Sequence, residues 1–532
     1  MTRLGAAPLL LFWALPLLAG LAMLLPAAGD SEAWRMALAH PQLWPALALS
    51  LGTGAISTLL ALALTLTLLA GLYRSRLWYS LQSLAAAGLA IPHLAFAIGF
   101  GFLVMPSGLL ARLVIGGEAP PQWVTVQDPW GLTLSLALAL KELPFLLTAG
   151  LGILSRGDAA LRLRQACRAA ASLGHSPGSA FLRVVLPPLL KDLRWPLVIV
   201  FVYGATVVDM ALVLGPTQPP TLAVVIWHAL NDVDTAMNGM GLAMVLLLTA
   251  ALALLLGGVA LVLRQAHGPL HRLLTVGPSS LRAPRGLAAL VGAFALAILV
   301  LAMVVLVILS LAPRWPYPAL LPPAADGAAW MKVTAAPLWL SLTLSLAAAI
   351  TAVMLAMMWF ETQAPSRDRW VIGLALVALA LPQMASAGGQ YRLFLPLGLT
   401  GTLAGLFLAH LTPVAAYVLI VLAGPWRSFD GRYVAAGRAL SASRMRALLA
   451  VKLPLLKAPL LTAAAIGFAV SIAQYVPAQL IAAGRFSTLP MEAVTLAAGG
   501  NRALTAAFAL ALAAPPLIAF LAAALLGRPR WR

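Results

Sequence analysis

Residues 168–187 read RAAASLGHSPGSAFLRVVLP, and residues 435–454 read AAGRALSASRMRALLAVKLP. At an offset of 267 residues, half the chain, Gly174 falls on Ser441, Val184 on Val451, Leu186 on Leu453 and Pro187 on Pro454. Both stretches run through small residues, a polar turn, a basic amphipathic segment and Leu-Pro. The small residues predict a short helix with a close-approach face, and Gly174 or Ser441 permits the turn that ends it. The proline then opens a fresh helix, where its missing N–H does no harm. Each stretch reads as a helical elbow shaped to enter a groove on a partner. One such segment could be an ordinary basic loop; two with the same spacing argue against that.

Around the elbows the chain is strongly apolar. Of 532 residues, 62% are hydrophobic and 9% charged, with a mean hydropathy of +0.97. A soluble domain carries about 25% charged residues. Spanning a bilayer takes roughly 20 mostly apolar residues, because lipid offers no partner for an open backbone group. Segments 4–29, 235–263, 286–313, 333–360, 458–484 and 503–527 carry no Asp, Glu, Lys or Arg. The reading is an all-α polytopic membrane protein with about twelve spans: 5–28, 45–72, 78–104, 130–154, 195–216, 237–263, 287–312, 336–360, 370–391, 398–424, 458–483 and 503–526. The run after Arg3 reads as an uncleaved first helix rather than a signal peptide.

Positive charge orients these spans, since Lys and Arg concentrate in cytoplasmic loops. With both termini inside, cytoplasmic segments hold 26 of the 34 Lys and Arg residues, including Arg74, Arg76, Arg156 to Arg194, Arg264, Arg272, Arg282, Arg285, Arg427 to Lys457, Arg528, Arg530 and Arg532. The outer loops hold seven: Arg35, Arg112, Arg314, Lys332, Arg392, Arg485 and Arg502. The net charge of +19 is therefore mostly topological and calls for no nucleic-acid partner.

The repeat extends beyond the elbows. Ile91-Pro92-His93 resembles Leu381-Pro382-Gln383, the helix with Pro144 resembles the one with Pro413, and Thr221-Leu222 aligns with Thr488-Leu489. Six spans per half predicts two parallel repeats, 1–264 and 286–532, joined by a linker at 265–285.

The elbow spacing resembles the EAA loop of type I (MetI-like) ABC importer permeases, in which Glu-Ala-Ala precedes three residues, Gly, nine residues and Ile-x-Leu-Pro. Arg168 and Ala435 replace the Glu here, and Ser441 the second Gly. Two such units in one chain look like the fused iron- and thiamine-type permeases, and 472–500 resembles the Ynj-type members of that group. The resemblance implies that Ala169, Ala170, Gly174 and His175, with Ala436, Gly437 and Ser441, shape coupling helices that contact two ABC ATPase subunits. It implies alternating access in a bacterial inner membrane, a periplasmic binding protein as partner, and a thiamine-like molecule or ferric iron as solute. ATP and Mg would be held by the ATPase, with no cofactor in this chain.

A P-loop needs Gly-Lys-Ser/Thr to hold phosphates, and none of the five lysines (Lys141, Lys191, Lys332, Lys452, Lys457) follows Gly. No catalytic residue is expected. Cys167, the single cysteine, rules out an internal disulfide, and the seven histidines show no ligand spacing for a metal. A charge at the centre of a span costs about 2.5–3.5 kcal/mol on insertion scales and marks an interior or a wet cavity. Lys141, Glu142 and Asp209 are such residues, and Lys141 or Glu142 is expected to meet Asp209 across two spans. In the second half His410 stands for Lys141, and Gln474-Tyr475 for the Asp209 region. Gln383 and Gln390 also face the expected path. Midplane carboxylates keep open one alternative, an ion-coupled secondary transporter, which has no need of matched elbows.

Overall fold

The structure, a computed structural model, describes residues 5–528 except 74, 156, 267, 270–275, 277–279, 313 and 442. Arg3, Arg74, Arg156, Arg272, Arg530 and Arg532, and much of the expected linker, lie outside the described residues. Every regular element described is helical. Nine helices among the described residues are long and apolar enough to cross a membrane, and eleven if two sharply bent pairs each count as one.

Spans and shorter helices together, the first half holds α1 (Ala7–Ala28), α2 (Leu43–Leu72), α3 (Trp78–Ala90), α4 (His93–Val104), α5 (Leu132–Ser155), α6 (Gly157–Ser172), α7 (Leu186–Thr206), α8 (Asp209–Leu214), α9 (Leu222–Leu230) and α10 (Thr235–Gln265). The second half holds α11 (Arg285–Leu311), α12 (Ala335–Thr362), α13 (Asp368–Ala380), α14 (Gln383–Phe394), α15 (Leu403–Arg427), α16 (Gly431–Ser441), α17 (Lys457–Ile472), α18 (Val476–Ala482), α19 (Leu489–Ala498) and α20 (Arg502–Leu526).

Four of the expected spans are not continuous helices. Segment 78–104 breaks at Ile91-Pro92, and 370–391 at Leu381-Pro382, where α13 and α14 meet at 102°. A proline has no N–H and pushes the preceding residue out of the helical region; Ile91 and Leu381 are extended, with ψ of 123° and 145°. Segment 195–216 breaks at Val207-Val208, and 458–483 at Ala473–Tyr475. The fifth expected span also starts earlier than expected: α7 begins at Leu186 and carries Lys191, Asp192 and Arg194 before the apolar run.

Each half is built on a three-helix core: α2, α5 and α7 in one, α12, α15 and α17 in the other. Small residues let these backbones approach, the usual means of association where no hydrophobic force acts between helices. A Cβ on Gly54 of α2 would meet the Phe201 carbonyl of α7 at 3.0 Å, and one on Gly467 of α17 would meet Val418 of α15 at 3.1 Å. The first helix of each half crosses to the other half. Helix α1 packs on α14 and α15, and α11 packs on α2, α4 and α20. Both crossings use glycine: Gly389 lies against the Gly20 backbone, and a Cβ on Gly99 would meet the Ala302 carbonyl at 2.6 Å.

Several local features recur between the halves. Leu222 N–H donates to Ser50 Oγ at 2.9 Å, and Leu489 N–H donates to Ser341 Oγ at 2.9 Å. Ser176 and Ser443 each cap a short helix that runs into a π-helical turn, Phe181–Val185 and Leu448–Lys452.

Candidate translocation cavity and coupling elbows

The four helix breaks converge on one cavity of about 290 Å³ between the halves. Ile91 and Pro92, Leu381 and Gln383, Thr206 and Asp209, and Ala473 and Gln474 all line it. Irregular backbone at membrane depth is tolerated only where protein or water can satisfy it, so this convergence is what the bilayer demands. The charged lining is Lys141 against Glu142 and Asp209, beside His93, Tyr203, Tyr417 and Phe145.

The expected partners of the buried charges are corrected. Glu142 Oε1 lies 3.0 Å from His93 Nε2, and Lys141 Nζ donates to the Gly88 carbonyl at 2.8 Å. Among the described residues no ion pair joins either to Asp209. The reason lies in the break. Pro92 has no N–H, so the carbonyl four residues back, Gly88, loses its helical partner. Lys141 supplies that donor from α5. It can reach because Gly88 has no side chain: a Cβ there would meet Pro144 Cβ at 2.9 Å. The equivalent carbonyl in the second half, Ala378, belongs to a residue that lines the cavity.

Of the expected path residues, Lys141, Glu142, Asp209, Gln383 and Gln474 line the cavity, as does Gln390. His410 and Tyr475 do not; they stand behind its wall. His410 Nδ1 lies 3.0 Å from Ser471 Oγ, and the Tyr475 ring stacks 6.2 Å from Trp227. His93 and the two tyrosines were not foreseen. His93 was legible all the same, because it aligns with Gln383 immediately after the repeated proline.

The elbows take the expected course with one correction. Gly174 is left-handed, φ +83°. His175 N–H donates to the Ala170 carbonyl and Gly174 N–H to Ala171, the paired bonds that close a helix on a left-handed glycine. Ser441 does not copy this. It is the last residue of α16, two positions beyond the equivalent end of α6, since a residue with a side chain takes the left-handed turn at a cost glycine escapes. Its side chain lies outside the described residues. The small pair divides its labour alike in both elbows. Ala170 is buried and Gly437 half-buried, whereas Ala169 and Ala436 are exposed. A Cβ on Gly437 would meet Val451 of the π-turn at 2.9 Å. His175 is half-buried, 3.2 Å from Ser179 Oγ and 3.3 Å from Arg183.

Both elbows lie on one face. Ser176 of the first bonds to the Leu281 carbonyl, just before α11, and Lys452 of the second pairs with Glu361 at the end of α12 (2.7 Å). Helices α11 and α12, of 27 and 28 residues, run out and back between these contacts. On the opposite face Arg112 donates to the carbonyls of Trp315 and Pro316, with its guanidinium 4.5 Å over the Trp315 ring.

Replacing Lys141 by Met will strand the Gly88 carbonyl and cost about 1–3 kcal/mol, the desolvation penalty of an unpaired polar group. Lys141→Arg will recover most of it, and thermal denaturation of the purified protein in detergent reads both.

No protein-family model matches the chain. It is 32% identical to the inner membrane ABC transporter permease protein YnjC of Escherichia coli (strain K12), over 99% of this chain and 98% of that protein. Near-complete coverage joins that likeness to the bundle, the shared cavity and the paired elbows. The chain belongs to the inner membrane ABC transporter permeases.

Proposed function

We propose that this chain is the fused two-half permease of a binding-protein-dependent importer, moving a small positively charged solute inward by alternating access. In this reading the halves are 1–264 and 286–532, both termini are cytoplasmic, and two ATPase subunits each engage one elbow. Their closure on ATP tilts the halves and opens the cavity outward, where a substrate-binding protein docks on the loops near 106–129 and 313–335. Arg112 ties those two loops together. Such a ligand-driven change requires that nucleotide bind one conformation better than the other, a difference supplied here by the motors.

The observation that carries the reading is the pair of elbows on one face beneath a cavity lined by both halves, into which Lys141, Glu142 and Asp209 are gathered. The recurrence of Leu222–Ser50 in Leu489–Ser341 supports a duplicated chain. The solute is a thiamine-like molecule or ferric iron. Two carboxylates against one ammonium, with two phenols close by, favour the organic cation. No group of three His, Cys, Asp or Glu side chains among the described residues is placed to hold a metal ion.

Uptake of a labelled organic cation into proteoliposomes will require this chain, the ATPase, the binding protein and ATP together. Uptake driven by a proton or sodium gradient without the ATPase would establish the ion-coupled alternative instead.

The elbows offer a second test. Ala436→Trp, on the exposed side, will abolish permease-stimulated ATP hydrolysis while leaving the melting temperature in place. Gly437→Val, on the inward side, will cost about 1–3 kcal/mol of stability through overpacking against Val451.

A further inference from the structure

The two elbows are held in different ways. The second is pinned to a membrane helix by charge. Lys452 Nζ lies 2.7 Å from Glu361 Oε2 and 4.3 Å above the Trp426 ring, and Arg444 reaches Glu361 Oε1 at 3.3 Å. The first is held by the chain that joins the halves. Ser176 Oγ donates to the Leu281 carbonyl. A Cβ on Gly178 would collide with that carbonyl, with Arg282 C at 2.6 Å and with Ala283 N at 2.7 Å. On the other side of the same segment, a Cβ on Gly71 at the end of α2 would meet the Pro284 carbonyl at 2.7 Å.

The segment 281–284 thus runs through a slot that exists because two separate positions lack side chains. A backbone lying over glycine from two directions is a seat rather than a chance contact. Among the described residues the second half has no such slot. Gly178 corresponds to Met445, which is 62% exposed. In the register set by Ser50 and Ser341, Gly71 corresponds to Thr362. The strap also leads directly into α11, which packs on α2, α4 and α20. Any displacement of the first elbow must therefore move the crossing helix of the other half or unseat the strap.

We infer that residues 281–284 are a working part of the first elbow, so that one motor subunit docks on elbow plus strap and the other on a bare elbow anchored by Glu361. This rests on the importer reading for its partner, but the seat itself does not. The strap passes motion of the first elbow to α11, and the joining chain acts as a mechanical link rather than a passive tether.

The test uses the full-length permease in proteoliposomes, labelled before the ATPase and the binding protein are added to read hydrolysis and uptake, with Cys167→Ser, which leaves A283C as the one thiol of the permease. A water-soluble maleimide will label A283C about tenfold more slowly than M445C in the same background, the protection expected from a local hydrogen-bonded seat. Gly178→Val will erase that protection and lower permease-stimulated ATP hydrolysis and uptake together by about tenfold. Gly71→Val, which opens the slot from the other side, serves if Gly178→Val fails to assemble. Equal labelling of A283C and M445C would overturn the seat. Exposure of A283C with hydrolysis and uptake unchanged would overturn the mechanical role. Absence of permease-stimulated hydrolysis before any glycine is replaced would sink the importer reading instead, and the labelling comparison would still judge the seat.

Discussion

A proline inside a membrane helix leaves one carbonyl without a donor, and in hydrocarbon that vacancy must be repaired. The bond from Lys141 Nζ to Gly88 O is such a repair, and much of the architecture follows from it. It joins α3 to α5 beside the break at Pro92. It also accounts for a lysine at membrane depth, where a charge is expensive unless it faces an interior or water. The remaining breaks, at Leu381-Pro382, Val207-Val208 and Ala473–Tyr475, sit around the same cavity. Polar lining and interrupted backbone are two aspects of a single constraint. In the importer reading the path between the halves is wet, and there a helix can break and still have its open backbone groups satisfied.

In the proposed mechanism the crossing helices make the halves act together. Each half gives its first helix to the other, and both crossings are closed over glycine, at Gly20 with Gly389 and at Gly99 with Ala302. Tilting one half therefore carries a helix of the other with it. The asymmetry of the elbows adds to this. One is fixed by Glu361 through charge, and the other by the joining chain through shape.

Spans and elbows were legible in the sequence because both rest on strong local signals: charge-free apolar runs and Leu-Pro at a matched spacing. The broken spans were not, although Pro92 and Pro382 were in view. Composition gives length and apolarity but not direction, and a right-angled turn in lipid looks the same as a straight helix. The break at Val207-Val208 has no proline beside it, so nothing local announces it, whereas Pro477, in the first turn of α18, does mark the break at Ala473–Tyr475. The charge pairing failed for a related reason. Asp209 is the nearest acid in the pattern of spans, but Lys141 was drawn to a carbonyl whose vacancy shows only once the Pro92 break is known. The left-handed turn was correctly placed at Gly174 and wrongly extended to Ser441, where a side chain changes where the helix ends.

Accessibility of single cysteines measures the central claim most directly, that the four breaks border one aqueous path. In a Cys167→Ser background, cysteines replacing His93, Thr206, Gln383 and Gln474 should react with a membrane-impermeant thiol reagent, at rates that change when the partner ATPase binds ATP. A cysteine replacing Leu254, which is 77% exposed on the lipid-facing surface of α10, should stay inert in both states. Inert cysteines at the breaks, or rates indifferent to nucleotide, would contradict the account.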